Sequence, residues 1–208
     1  MALRDTSIDP VLLKSARAQF IEKGFAKASV SEICRNAGVT TGALYIRYKG
    51  KEELYDALVA DAVAMMETFM KTADVDIEHL SDRELLLPWY GDKSQICSFF
   101  DMFENVRDQF TLLLTCSDGT KYQNFHHDFA QKLTDADYCY YIEAYKRGFA
   151  TELVTKEQLH IYLTAYWDLF YEPFIHGMTR SEIDELCAGI ERWINWKALL
   201  GLPDKMPF

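Results

Sequence analysis

Apolar positions recur at helical spacing along nearly the whole chain, and no segment of useful length alternates strictly between polar and apolar residues. Leu13, Ala16 and Phe20 follow one another at helical intervals behind Asp9-Pro10, an N-cap with proline at the first helical position, until Gly24 closes the pattern. A helix is expected over about 9–23. Ser29-Val-Ser-Glu32 has the form of a capping box, in which hydroxyl and carboxylate each take a backbone N–H, and opens a short helix ending near Ala37-Gly38. A turn at Gly38-Val39 leads to Thr40, the N-cap of a second short helix running to about Arg47. Lys49-Gly50 interrupts, and KEELYDALVADAVAMMETFMKTA then predicts a long helix over about 51–72. Beyond an irregular stretch with one short helix before Pro88, helices are expected near 94–105, 107–116, 122–150, 156–176 and 180–200. The fold class is all-α, divided most economically into a small helical module at 1–50 and a larger helical body at 51–208.

Two short helices joined by a tight turn form a helix-turn-helix pattern, in which the first helix props the second so that its N-terminal end can enter a major groove. Gly38 suits the turn because glycine reaches positive φ without a Cβ clash. Thr41, Gly42 and Ala43 are small enough to let the helix end approach bases, and threonine offers a methyl and a hydroxyl to base edges. Tyr45, Arg47 and Lys51 bring a phenol, a guanidinium and an ammonium, groups that grip phosphates. Spacing alone leaves a second reading open, with Leu44 and Tyr48 as core and Arg47, Lys49 and Lys51 as a solvated face. Charge adds to the picture. Residues 1–52 carry nine Lys/Arg against five Asp/Glu, a sum of +4, so the remaining 156 residues account for −14 of a total of −10. Only the head is suited to meet a polyanion.

The stretch GFAKASVSEICRNAGVTTGALYIRYKGKEELYDAL resembles the N-terminal domain of the TetR family of bacterial transcriptional regulators, over about residues 9–60. The resemblance implies an all-helical homodimer with a three-helix DNA-binding head, and a body that binds a small-molecule effector and thereby releases double-stranded DNA. Carried over by position, Thr40 and Thr41 open the recognition helix and Gly42 sits at the close approach. Tyr45 and Lys51 match phosphate contacts, and Ser29 and Ser31 start the supporting helix near the DNA backbone. Cys34, Arg47, Tyr48 and Gly50 depart from the family's usual alanine, histidine or tyrosine, phenylalanine, and serine or asparagine. Arg47 adds a permanent charge, available either to the DNA backbone or to a guanine edge.

In the body, Leu159, Leu163, Tyr166, Phe170 and Phe174 mark one stripe of the helix at 156–176, and Tyr162, Trp167 and Tyr171 widen it beyond one core contact. Ile183, Leu186, Ile190, Trp193 and Ile194 repeat along the next helix. The resemblance implies a four-helix interface between two subunits, and the double apolar face supports it, with Leu163, Phe170, Phe174, Ile183, Leu186, Ile190, Trp193 and Ile194 as dimerisation residues. Many other aromatics and methionines would line a core or, as a group, an apolar cavity. Met66, Met70, Phe100, Phe103, Tyr145 and Trp167 are candidates for such a cavity's wall, and Asn105, Gln109 and Tyr141 for its polar handles.

Other chemistry finds little purchase. The five cysteines include no CxxC pair and no Cys/His ligand spacing, and fit buried thiols in a reducing compartment. His126-His127-Asp128 reads as polar residues at the surface, since neighbouring side chains on a helix diverge by about 100°. No catalytic motif, metal site or cofactor fingerprint is visible. The N-terminal MALRDTSIDP lacks an apolar core, and no run approaches a membrane span, so the expected location is the cytoplasm, away from membranes. A helical enzyme would need a convergent acid–base pair, and an architectural DNA-binding scaffold would share the head but lack an effector.

Overall fold

The computed structural model describes residues 8–71 and 76–207. Its helices are α1 (Asp9–Lys27), α2 (Val30–Ala37), α3 (Thr41–Tyr45), α4 (Lys51–Lys71), α5 (Asp82–Leu86), α6 (Lys93–Glu104), α7 (Arg107–Thr115), α8 (Phe125–Lys146), α9 (Lys156–Ile175), α10 (Arg180–Trp193) and α11 (Trp196–Leu200), with 3₁₀ turns at Ile77–His79 and Leu87–Tyr90. No strand occurs among the described residues, so the all-α class holds. The chain packs as two compact units, Met1–Met65 with Val106–Phe125, and Met66–Asn105 with His126–Phe208. Arg4 and Asp5 of the charge count, and the expected last residue of the long helix, Thr72, lie outside the described residues.

In the first unit, α1 buries Leu12, Ala16 and Phe20, and Pro10 stands in its first turn, where a missing N–H costs nothing. Gly24 is where the helix was expected to close, and there the backbone leaves helical space (φ 74°, ψ 160°) before one further turn to Lys27. α2 buries Ile33 and Cys34, and Ser15 Oγ donates to Ile33 O at 2.8 Å. The expected capping box at Ser29 and Glu32 does not form. Glu32 instead accepts from Gln19 (2.9 Å) and Lys23 (2.8 Å) of α1, while the Ser29 N–H donates to Gln19 Oε1 (2.8 Å). A carboxylate can satisfy a neighbouring helix's ammonium or its own N-cap, and here the charged partner wins.

Gly38 ends α2 in the left-handed region (φ 70°, ψ 26°), as the turn required. Thr40 then caps α3, its hydroxyl accepting from Ala43 N–H at 3.1 Å, and Leu44 anchors the helix with no exposed surface. In α4, Leu54, Tyr55, Val59 and Ala62 are buried, and the Tyr55 hydroxyl donates to Leu112 O of α7 at 2.9 Å. Burial pushes that phenol above its ordinary range.

In the second unit α6, α8 and α9 supply most of the buried side chains. Phe100 stacks on Phe170 at 5.2 Å between ring centroids, and Phe103 meets Phe174 edge-on at 6.4 Å. The helix expected over 122–150 is shorter. Hydrogen-bonded turns at Thr120–Phe125 delay its start, and Gly148 (φ 82°) follows its last turn. The helix expected over 180–200 is two helices, because Ile194 is extended (φ −110°, ψ 123°) and the Asn195 side chain accepts from Ala198 N–H at 3.1 Å, capping α11 anew.

Candidate functional site

The solvent-facing end of α3 brings together Thr40, Thr41 and Gly42, with Tyr45 58% exposed one turn on. Ile46 beside it is 79% exposed, an apolar side chain that sequence reasoning passed over because one unburied isoleucine leaves no periodic signature. Gly42 is informative for a different reason. Its φ is not positive, and a Cβ there would meet nothing nearer than Thr40 Oγ1 at 3.8 Å. Nothing inside the chain requires glycine at that position. Ser31 is exposed at the start of α2, and Ser29 is half-buried beside Gln19.

The head's cations are less available than the sequence count suggested. Arg17 pairs with Asp108 (2.6 Å), Lys23 with Glu32 (2.8 Å), and Lys49 with Glu53 (3.5 Å). Arg47 is the largest departure. Its guanidinium side chain is 8% exposed, with Nε 2.9 Å from Asp9 Oδ1 and Nη1 donating to Ala43 O at 3.2 Å. As placed, it ties the start of α1 to the end of α3 instead of facing outward. Lys51 donates to the carbonyls of Phe25 (3.0 Å) and Ala26 (3.1 Å) and lies 4.4 Å from the Phe25 ring centre. Among the described residues Lys14 and Lys27 have no ion pair. The basic face is therefore small, and the helix end with its hydroxyls and phenol makes up much of it.

The second unit holds a half-open cavity of about 390 Å³. Phe69, Phe99, Trp167 and Phe170 form one wall, with ring centroids 4.7–5.8 Å apart in the Phe99–Phe170, Phe99–Trp167 and Phe69–Trp167 pairs. Trp89, Tyr166 and Trp196 form another, with Tyr166–Trp196 at 5.4 Å and Trp89–Trp196 at 5.7 Å. Asp137 and Tyr140 of α8 complete it, together with Gln95 of α6. Burial pushes the Asp137 carboxyl up to about 7, and the Tyr166 phenol is pushed up to about 12 by burial first and by Asp137 second. The indole N–H groups of Trp89 and Trp167 are buried without an acceptor.

Of the residues expected to line such a cavity, the structure brings Trp167 to it. Phe100 and Phe103 are fully buried in the α6 core, Met66 is buried and Met70 half-buried away from the lining, and Asn105 and Tyr145 are exposed. The Tyr141 hydroxyl accepts from Val154 N–H (2.7 Å) and donates to Glu152 O, fixing the turn before α9. Gln109 lies in the first unit, where its Oε1 accepts from Asp61 N–H (3.0 Å) and Ala62 N–H (3.2 Å) and its Nε2 donates to Asp61 Oδ2 (2.9 Å).

Among the residues expected at a subunit interface, Leu163 and Phe170 line the cavity, and Phe174, Ile183 and Ile190 are buried within the chain. Leu186 and Ile194 are half-buried, and Trp193 is 58% exposed. Ile161 on α9 is 65% exposed and not anticipated; it points about 100° around the helix from half-buried Tyr162, which shares a side with Leu169 one heptad on. Tyr162 and Trp193 share a shallow surface groove with Ile194 and Leu199. Among the described residues, no group of His, Cys, Asp and Glu could hold a metal ion, and no helix is long and apolar enough to cross a membrane.

Comparison with known proteins places this geometry. Residues 12–58 match the bacterial regulatory proteins, tetR family. An HTH-type transcriptional regulator, YerO of Bacillus subtilis, is 31% identical over 104 residues, which is 50% of this chain and 34% of the relative. The chain spans 31–40% of the length of the curated relatives it matches. A TetR-family transcriptional regulator from Bordetella parapertussis has the same fold at 12% identity, with a TM-score of 0.58 covering 90% of this chain and 93% of that one. FadR from Bacillus subtilis, solved in complex with stearoyl-CoA, gives a TM-score of 0.53 at 14% identity, covering 92% of this chain and 97% of its own.

Proposed function

We propose that this chain, whose residues 12–58 match the bacterial regulatory proteins, tetR family, is a ligand-responsive transcriptional regulator, in its simplest form a repressor. It binds a palindromic operator as a homodimer through residues 1–50, and residues 51–208 bind the effector and the second subunit. Thr41, Gly42 and Tyr45 of α3 meet the major groove, Lys51 and the start of α2 meet the backbone, and Arg47 holds α3 against α1 through Asp9. The single observation that carries this reading is Gly42: an exposed glycine with neither positive φ nor internal crowding is explained by a surface that must come close to it from outside.

The cavity of the second unit is the effector site, with aromatic walls and two indole N–H donors that would meet an acceptor on the ligand. Dimerisation uses the outward side of α9 and α10, with Ile161, Tyr162, Leu186, Trp193 and Ile194 as its apolar residues. The effector acts by favouring one spacing of the two recognition helices through α4, which carries the chain from the first unit into the second. Gly42→Ala tests the DNA-binding part. The added methyl has room within the fold and favours helix by about 0.5–1 kcal/mol, so thermal stability should hold or rise while operator affinity falls about tenfold or more. Unchanged affinity in a folded Gly42→Ala protein would remove α3 from the DNA interface.

A further inference from the structure

Indole, phenol and phenyl rings make up more than half of the cavity's lining residues, and its one carboxyl belongs to Asp137. Among the described residues, no lysine, arginine or histidine lines the cavity, and none forms an ion pair or hydrogen bond with Asp137. This is an unusual place for an acidic side chain. Asp137 is half-buried, and a carboxyl crowded by rings loses part of its water without a compensating partner, so it holds its proton more tightly or acquires a cation. Aromatic faces present negative charge to whatever lies over them, so Trp89, Trp167, Trp196, Tyr140 and Tyr166 reinforce the carboxylate instead of opposing it. An anionic ligand would meet the carboxylate's repulsion, while the indole N–H groups of Trp89 and Trp167 remain for a neutral acceptor elsewhere on the ligand.

Resting on the reading of this cavity as the effector site, we propose that its ligand is a flat apolar organic cation, its charged nitrogen seated between ring faces with Asp137 as counter-charge. The titratable groups that share the cavity with Asp137 are the phenols of Tyr140 on α8 and Tyr166 on α9, with Glu84 acting on Tyr140 from outside; none ionises near neutrality ahead of Asp137. Cation binding therefore strengthens as pH rises and the carboxyl ionises, and in turn it pulls that ionisation to lower pH.

Two isosteric probes decide the matter: 1-methylquinolinium, which is permanently cationic, and uncharged 1-methylnaphthalene, with 1-naphthoate as the anion. Each is titrated into the full-length protein without DNA, following quenching of tryptophan fluorescence. At about pH 8 the cation should bind at least about tenfold more tightly than its neutral isostere, and it should weaken about fivefold by about pH 6. Asp137→Asn keeps the shape and removes the charge. It should bring the two probes within about twofold of each other and abolish the pH dependence. Equal binding of cation and neutral probe to the wild type, tighter binding of 1-naphthoate, or a cation preference that survives Asp137→Asn would each overturn the proposal. The wild-type comparison decides alone if that variant fails to fold. Release of bound operator DNA by the cation is measured separately. Binding without release would uphold the cation site while contradicting the cavity's role as an effector site.

Discussion

Lys51 stands where two demands meet. Two of its three ammonium protons go to the carbonyls of Phe25 and Ala26 at the end of α1, and its stem lies over the Phe25 ring. One proton is left for a phosphate. Lys51→Ala should weaken binding to all DNA sequences alike, lower the magnitude of the salt slope by about one, and cost about 0.5–1 kcal/mol of stability through the lost helix-end contact. An unchanged slope with lost stability would assign Lys51 to the fold alone. Thr41 should behave differently. Thr41→Ser removes the methyl while keeping the hydroxyl, and should relax preference at one base pair of each half-site by about 1 kcal/mol or more; uniform loss across sequences would show that the methyl does not read a base. Asp137 supplies a test of the fold's electrostatics. Its folded pKa lies above the unfolded value, so the stability its neutral form contributes is complete below about pH 4 and is lost as pH rises through about 7. Asp137→Asn should therefore exceed the wild type in thermal stability by at least about 1 kcal/mol above neutral pH, and the gap should close on acidification. A gap independent of pH would mean that the carboxyl is ordinarily solvated.

At the scale of elements, α7 is held to α4 by Gln109, whose amide meets Asp61 and Ala62, and by the buried hydroxyl of Tyr55. Gln109→Leu removes these largely exposed hydrogen bonds and should cost about 0.5–1.5 kcal/mol in denaturant unfolding. A negligible cost would mean that the helix's own ladder suffices. The same residue shows where sequence reasoning ran out. α1 to α4 were legible because their signals are local: Pro10 at a start, Gly38 at a left-handed end, Thr40 capping. Glu32 was misread because the competitor for its carboxylate, Lys23, lies in another helix and is invisible to a four-residue motif. Asn195 is a good N-cap by type, yet the apolar period through Ile190, Trp193 and Ile194 ran across it and concealed the break. The cavity was legible only as a composition. A phenylalanine at helical spacing looks the same whether it plugs a core, as Phe100 does, or lines a space, as Phe170 does, and only packing separates them.

For the whole molecule, the acidic body and the mildly basic head make a protein that DNA does not attract strongly. With most head cations already paired, the proposed reading draws its affinity from two heads placed together on one duplex, about one helical turn apart. This gives the apolar outer side of α9 and α10 its weight. Ile161→Glu, at a position 65% exposed, should leave the subunit folded, shift it to the mass of a monomer in sedimentation, and reduce operator affinity by about a hundredfold or more. A dimer that persists would place the subunit interface elsewhere. The most direct test of the account as a whole is to select bound duplexes from a random DNA library with the purified protein at one fixed, moderate salt concentration. The account predicts enrichment of an inverted repeat whose half-sites lie about one turn apart. Recovery of unenriched sequence from a folded, ligand-free dimer would contradict it, and would make this chain a DNA-associated scaffold instead of a regulator of particular genes.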